Sequence, residues 1–170
     1  MTMRWFGALL VIAGCGGVGF LMAAAYKKEE TALQDLIGGL QYMLCELQYR
    51  VSPLPQLCSV AAERSGGCVG EIFRQLHREL ESQMSPDASA CMLAAISKVQ
   101  SLPEKGKMYM LQLGKILGCF DLPGQIKGIE AVEKRAMLDL EMMRKDRDVR
   151  CRNYRIFGFC AGLALVVLFI

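Results

Sequence analysis

Two long apolar segments bracket a middle region in which apolar residues recur every three or four positions. The first segment is a run of 20 uncharged residues at 6–25, and the second is a run of 15 uncharged residues at 156–170. A helix of about 20 apolar residues, rising about 1.5 Å per residue, matches the roughly 30 Å hydrocarbon core of a bilayer. With their aromatic and basic flanks, the segments predict transmembrane helices over 5–26 and 154–170. A terminal helix within a soluble core is the alternative for the second segment.

The N-terminal segment has a second interpretation. Its stretch LLVIAGCGG, at 9–17, looks like a bacterial lipoprotein signal in which Cys15 would be acylated. A lipoprotein continues into a polar tether after that cysteine, because the acyl chains do the anchoring. Here the apolar run continues to Ala25. The sequence therefore favours a membrane helix over cleavage at Cys15 or, as a secretory signal, after Ala25.

Positive charge indicates the orientation. Lys27 and Lys28 follow the first span, whereas only Arg4 precedes it. A mainly basic collar leads into the second span and consists of Arg144, Lys145, Asp146, Arg147, Asp148, Arg150, Arg152 and Arg155. Because Lys and Arg collect on the cytoplasmic side of membrane proteins, residues 27–153 are expected to form a cytoplasmic domain, with both chain termini across the membrane.

The middle region has the apolar period of helices throughout, punctuated by Gly and Pro. The first predicted helix carries its inner face on Leu33, Leu36, Ile37, Leu40, Met43, Leu44, Leu47 and Val51. The pattern predicts five more helices: from 53 to about 62, over 69–80, over 87–99, from 103 or 104 to about 117, and from about 122 onward. Ser52 and Asp121 are the predicted N-caps of the second and sixth helices.

Strand signals are absent from this pattern, since no alternating β-branched run adjoins an Asn-Gly or Asp-Gly turn. The predicted fold is therefore all-α. It is a six-helix bundle at 27–153 whose first and last helices continue into the bilayer.

Charge and cysteine spacing exclude several classes of function. Residues 27–143 carry 13 basic and 15 acidic residues, unlike the basic face of a nucleic-acid-binding protein. The eight cysteines lie at least nine residues apart. No close pair therefore exists for a zinc or redox site, and buried or half-buried thiols are expected. His77, the only histidine, is expected on a solvated helix face, and no GxxxxGKS or GxxxxGKT phosphate loop occurs. The sequence predicts no catalytic, cofactor or metal site.

Two stretches carry a family resemblance. The segment ELQYRVSPLPQL at 46–57 and the segment LGKILGCFDLPGQIKGI at 113–129 resemble the two signatures of the stage III sporulation protein AB family. Leu47 and Ser52 depart from that pattern, which has Ile and Thr there. The matching positions are Glu46, Tyr49, Pro53, Leu54, Leu113, Gly114, Leu117, Gly118, Asp121, Gln125 and Ile129.

Most of these signature positions are interpreted as structural, with direct partner contact as the alternative. Glu46 could cap the second helix or pair with a base across the bundle. Gly114 and Gly118 lie four residues apart, so both are expected on one face of the fifth helix, where another helix can approach closely. Asp121 is expected to cap the sixth helix, and Gln125 could reach a loop carbonyl.

The resemblance implies a function. The family is similar to the cytoplasmic six-helix domains of F-type platform proteins in type II secretion and type IV pilus systems, and its members belong to the channel between mother cell and forespore. It implies a platform in the mother-cell membrane facing the forespore, which engages a cytoplasmic secretion-type ATPase, the stage III sporulation protein AA, and other channel subunits. The oligomeric state stays open, homo-oligomers included.

Two alternatives accompany this function. One is a platform subunit of a type II secretion or pilus system, although such subunits usually carry two helical domains and three spans. The other, of a different class, is a membrane-tethered enzyme or sensor. A contact with the ATPase is expected through a polar surface of the third helix formed by Glu71, Arg74, Arg78 and Glu79.

Overall fold

The computed structural model describes the backbone of residues 2–50, 52–82 and 87–169, and the side chains of 21–50, 52–82, 87–145 and 156. Within these described ranges, six helices follow one another: α1 Thr2–Tyr49, α2 Leu54–Arg64, α3 Gly67–Ser82, α4 Ala88–Lys98, α5 Glu104–Ile116 and α6 Leu122–Phe169. These described residues contain no strand. The all-α prediction and the number of helices are therefore confirmed.

The chain divides into two compact units. One consists of 1–28 and 142–170, and the other of 29–141, so α1 and α6 contribute residues to both. Within the first unit, the hydroxyl of Tyr26 donates a hydrogen bond to the carbonyl of Met143, at 2.9 Å.

Transmembrane segments stay predictions. Among the residues with described side chains, no helical stretch is both long and apolar enough to cross a membrane. Of the predicted spans over 5–26 and 154–170, only 21–26 and 156 lie within those residues, and Cys15 and the collar beyond Lys145 lie outside them.

The second unit is built around apolar stripes on its long helices. On α1, all of the predicted inner-face residues from Leu33 to Leu47 are buried, and Leu33, Leu36 and Leu40 are fully enclosed. On the part of α6 within this unit, the buried residues are Ile129, Val132, Ala136 and Leu140. The four helices between them in the sequence pack in order, α2 on α3, α3 on α4, and α4 on α5. The period of three and four residues located this core correctly, because each helix buries one face.

The fourth helix starts within one residue of the predicted position 87, and the start of the second helix also differs from the prediction. Asp87 caps α4 by accepting a hydrogen bond from the amide of Ala90, at 2.6 Å. The second helix was expected to begin at Pro53 with Ser52 as its cap, but Pro53 occupies the cap position and the helix starts at Leu54. Ser52 lies one residue too early to reach the free amides of α2.

The corner between α2 and α3 fits closely against α1. A Cβ atom on Gly39 would lie 2.3 Å from Oγ of Ser65 and 3.1 Å from Cε2 of Phe73, so a larger residue would force these side chains to move. Gly67 has a φ of +51°, in the left-handed region that glycine adopts without strain. The backbone of Gly66 hydrogen-bonds to the carboxylate of Asp35, but burial has the larger effect and raises the pKa of that carboxyl above its usual value.

The expectation of buried thiols is only partly right. Cys58 and Cys91 are buried and Cys68 is half-buried, whereas Cys45 and Cys119 are exposed. Burial raises the pKa of the Cys58 thiol to about 12, and Cys91 adds to the effect. Both exposed cysteines lie near helix ends, Cys45 on the last turns of α1 and Cys119 after α5.

Candidate functional site

The two signature segments meet at one end of the bundle, where α1 and α5 end and α2, α4 and α6 begin. A Cβ atom on Gly118 would lie 3.7 Å from Cδ2 of Leu54 and 4.0 Å from Cβ of Ala88. Residues more than 60 positions apart in the sequence are thus in van der Waals range. The fold brings the signatures together, although neither segment alone indicates this.

Glu46 holds the connection between α1 and α2. Its carboxylate accepts a hydrogen bond from the hydroxyl of Ser52 at 3.0 Å, and Nη1 of Arg50 lies 3.9 Å away. Glu46 was predicted either to cap the second helix or to pair with a base across the bundle. Neither contact is seen among the described residues. Instead, Glu46 fixes the two ends of its own loop.

Three apolar signature residues are core residues. Leu113, Leu117 and Ile129 have no exposed surface. A Cβ atom on Gly114 would lie 2.7 Å from Cβ of Met92, so the missing side chain lets α5 approach α4, as predicted. These positions support folding rather than contact with a partner.

Gly118 has a different role from the predicted one. Helix α5 ends at Ile116, so Gly118 lies beyond it rather than on its face. Its φ of +74° is left-handed, which ends the helix and turns the chain toward α6 at little steric cost. Spacing alone could not separate the two roles, because Gly favours both close packing and helix ends.

Asp121 caps α6 as predicted. Its Oδ1 accepts a hydrogen bond from the amide of Gly124, at 3.2 Å. The Gln125 side chain, which was predicted to reach a loop carbonyl, makes no hydrogen bond to another described residue. Its backbone amide donates a hydrogen bond to the carbonyl of Asp121, at 2.8 Å.

Two signature residues lie at the surface of the bundle. Tyr49 is 84% exposed, and Pro53 is also exposed. Phe120, which lies within the second segment, is 58% exposed. Single exposed apolar residues are common on soluble surfaces. Together, Tyr49, Pro53 and Phe120 add apolar surface to this end of the bundle.

The predicted contact surface on α3 is largely paired within the chain. Glu71 lies 3.0 Å from Arg74, and Glu79 pairs with Lys98 of α4 and is only 14% exposed. The pKa of Glu71 is lowered, first by the hydrogen bond from Gln75 and then by that from Arg74. Arg78 is exposed and forms no ion pair with a described residue.

The environment of His77 also differs from expectation. The ring is half-buried, with Nδ1 2.9 Å from the carbonyl oxygen of Pro55 and Nε2 3.5 Å from Glu81. Because a carbonyl only accepts, Nδ1 carries the proton in this contact. His77 thus ties α3 to the first turn of α2.

A polar contact that was not foreseen joins α5 to α6. The hydroxyl of Tyr109 donates a hydrogen bond to Oδ2 of Asp139 at 3.0 Å, and the residue is 3% exposed. Burial and then the hydrogen bond to Asp139 raise the pKa of Tyr109 to about 12. The two residues lie 30 positions apart, so their pairing depends on the docking of α6.

An open hollow of about 290 Å³ lies between the same two helices. Its lining consists of Gln112, Lys115, Ile116, Gly128, Ala131, Val132 and Arg135. Mostly apolar atoms form the wall, and the two cations come from opposite helices. The sequence predicts which residues share a face on each helix, but it does not show that these two faces lie next to each other.

Within the part of the chain whose side chains are described, no cluster of three or more His, Cys, Asp or Glu could hold a metal ion. The arrangement is therefore one of helix packing, surface charge and a shallow hollow. Its chemistry suits noncovalent recognition of another macromolecule.

Comparisons with known proteins agree with the sequence resemblance. The family model for stage III sporulation protein AB matches residues 4–170. Stage III sporulation protein AB of Bacillus subtilis (strain 168) is 26% identical over 173 residues, which cover 98% of each chain. A solved structure of stage III sporulation protein AB (SpoIIIAB) superposes with a TM-score of 0.63 at 18% identity, covering 72% of this chain and 98% of that chain. That structural likeness concerns the fold.

Proposed function

This chain belongs to the stage III sporulation protein AB family, and we propose that it is a membrane platform of the channel between mother cell and forespore. In this proposal, 27–153 is the cytoplasmic part and engages the stage III sporulation protein AA, a secretion-type ATPase. The two apolar segments anchor the chain in the mother-cell membrane facing the forespore. Other channel subunits contact the same platform, and no catalysis is assigned to it.

The observation that carries the proposal is the continuity of two helices. α1 and α6 each contain 48 residues. One part of each helix belongs to the compact unit 29–141, and another part runs through one of the two apolar segments. A bundle that is attached at both its first and its last helix is suited to hold a partner at a membrane. The basic collar supports the cytoplasmic assignment of the bundle, because positive charge collects on that side.

The first test concerns membrane topology, and the burial of each cysteine determines whether it can report on it. Cys58 and Cys91 are buried, so they resist a thiol reagent on either side of a membrane. Cys45 and Cys119 are exposed and therefore report the side on which the bundle lies. A membrane-impermeant maleimide should leave both unlabelled in intact cells and label both after permeabilisation. Labelling of both in intact cells would place the bundle outside and contradict the proposal.

Partner binding is the second test. The full chain, tagged and solubilised from membranes of sporulating cells, should co-purify with the stage III ATPase. A membrane protein of similar abundance provides the control for nonspecific recovery. Absence of the ATPase from the purified material, with both proteins present in the membrane extract, would contradict engagement of the ATPase.

A further inference from the structure

We propose that the groove between α5 and α6 is the docking surface for an acidic amphipathic helix of a partner protein. The groove comprises the hollow lined by Gln112, Lys115, Ile116, Gly128, Ala131, Val132 and Arg135. This inference rests on the proposed function, because it takes the ATPase to be the partner that supplies the helix. It differs from the surface on α3 that the sequence indicates.

The floor of the groove is apolar and fixed. A Cβ atom on Gly128 would lie 2.6 Å from Cγ2 of Ile116, so the missing side chain brings α6 close to α5 at this point. Val132 is buried beside it. On α6, the contact between Tyr109 and Asp139 lies one turn beyond Arg135 and holds the two helices in register. The hollow is therefore preformed, which lowers the entropic cost of binding.

Exposed apolar side chains extend the groove along both helices. On α5, Met108 and Leu111 are 44% and 38% exposed and lie four residues before Gln112 and Lys115. On α6, Leu138 is 53% exposed and lies three residues after Arg135. Residues three and four apart share a helix face, so these side chains border the hollow. Methionine at such a border adapts to the shape of a partner.

Two cations that form no ion pair among the described residues flank this apolar surface, although Arg135 also acts electrostatically on Tyr109. Lys115 on α5 and Arg135 on α6 are exposed, and neither forms an ion pair with a described residue. Gln112, the remaining polar residue of the lining, is neutral. The groove therefore complements an apolar side chain that is flanked by carboxylates three or four residues away, as on one face of an acidic amphipathic helix.

A second copy of this chain fits less well. In a symmetric dimer through this face, the cations of one copy would approach those of the other, which is unfavourable. The exposed face of α3 offers little negative charge for a head-to-tail contact, because Glu71 is paired with Arg74 and Glu79 with Lys98. A small ligand is also a poorer fit, because a shallow hollow of about 290 Å³ is at the lower limit of ligand pockets.

The test measures binding of the purified stage III ATPase to the full chain in lipid nanodiscs. The first variant combines Lys115→Glu with Arg135→Glu, and the matched control combines Arg74→Glu with Arg78→Glu, which changes the same number of charges on α3. Loss of two attractive contacts and gain of two repulsive ones should weaken binding about tenfold or more in the groove variant. The α3 control should bind within about twofold of wild type.

Two further measurements separate charge from shape. Binding of the wild type should weaken as salt rises from 0.05 to 0.5 M, because salt screens the attraction between the groove cations and the partner's carboxylates. Binding of the groove variant should depend less on salt, since it lacks these cations. Leu111→Ser with Leu138→Ser, which leaves the cations in place, should also weaken binding, because apolar contact is lost. Circular dichroism should show unchanged helix content in all variants.

Each other outcome overturns the inference in a distinguishable way. If the groove variants bind like wild type, the ATPase contacts another surface and the platform function stands. If the α3 control is as weak as the groove variant, the surface predicted from the sequence is the contact. If the groove variant alters self-association in light scattering but not ATPase binding, the occupant is a second copy. If the wild type itself does not bind, the proposed function fails together with the groove.

Discussion

Replacement of Gly114 by Ala tests the packing of α4 against α5. The new Cβ atom would lie 2.7 Å from Cβ and 3.0 Å from Cγ of Met92, and 3.6 Å from Cα of Ser89. Carbon atoms in contact are separated by about 3.5–4.0 Å, so the shortfall is about 1 Å. Met92 is fully buried, and its Cβ is fixed to the backbone of α4, so a change of rotamer cannot relieve the clash.

The magnitude follows from a comparison with Gly38→Ala. Gly38 lies in α1 with no atom within 4 Å of a new Cβ, so alanine there should stabilise the helix by about 1 kcal/mol. Gly114→Ala has the same gain in helix propensity but also overpacks the core, which costs about 1–3 kcal/mol. The difference between the two variants therefore isolates the clash. For a domain of this size it corresponds to roughly 4–12 °C in melting temperature.

The assay is thermal and urea unfolding of a fragment spanning residues 28–145, which encloses the compact unit 29–141. Circular dichroism should show a helical fragment, with Gly38→Ala melting above wild type and Gly114→Ala melting below it. Equal stability of the two variants, or a higher melting temperature for Gly114→Ala, would refute the assigned approach of α5 to α4.

Three other perturbations test polar and thiol groups of the same unit. Tyr109→Phe should lower the unfolding free energy by about 1 kcal/mol at pH 7 through loss of a hydrogen bond. Because the folded pKa of Tyr109 is raised to about 12, wild type should also lose stability as pH rises above about 10, and the variant should lose less. Burial raises the folded pKa of Asp35, so this carboxyl stabilises the fold while protonated and that contribution is lost as pH rises through the folded pKa. Asp35→Asn should accordingly gain stability relative to wild type between acid and neutral pH in urea titrations, and an unchanged difference would contradict this sign. In the native fragment, Cys45 and Cys119 should react with a maleimide much faster than Cys58, and equal rates would contradict the assigned burial.

Helix content and core were predictable because both depend on local pattern. The stripe from Leu33 to Leu47 repeats with the helical period, so its burial follows from the sequence. Asp121 is a cap, as predicted, because a short carboxylate just before a helix reaches its free amides. Such signals lie within a few residues of one another.

Features that depend on which helices adjoin were not predictable. The role of Gly118 depends on α5 ending two residues earlier, and the pairing of Glu79 with Lys98 depends on α3 packing against α4. The groove requires α5 and α6 to approach at Gly128. The sequence shows the faces of these helices, but pairing arises from the packing of the whole bundle.

Also unpredictable was the shift at the start of α2. The sequence predicted Pro53 as the first helical residue, because proline is favoured in the first turn of a helix. In the structure the helix starts at Leu54, with Pro55 in its first turn and Ser52 bonded to Glu46.

Recruitment of the stage III ATPase to the membrane tests the central claim most directly. The fraction of the ATPase that sediments with membranes should be measured in sporulating cells that carry the wild-type chain, lack it, or carry the groove variant at equal abundance. The platform account predicts membrane association with the wild type, release into the soluble fraction without it, and partial release with the groove variant. An ATPase distribution that is the same with and without this chain would contradict the account.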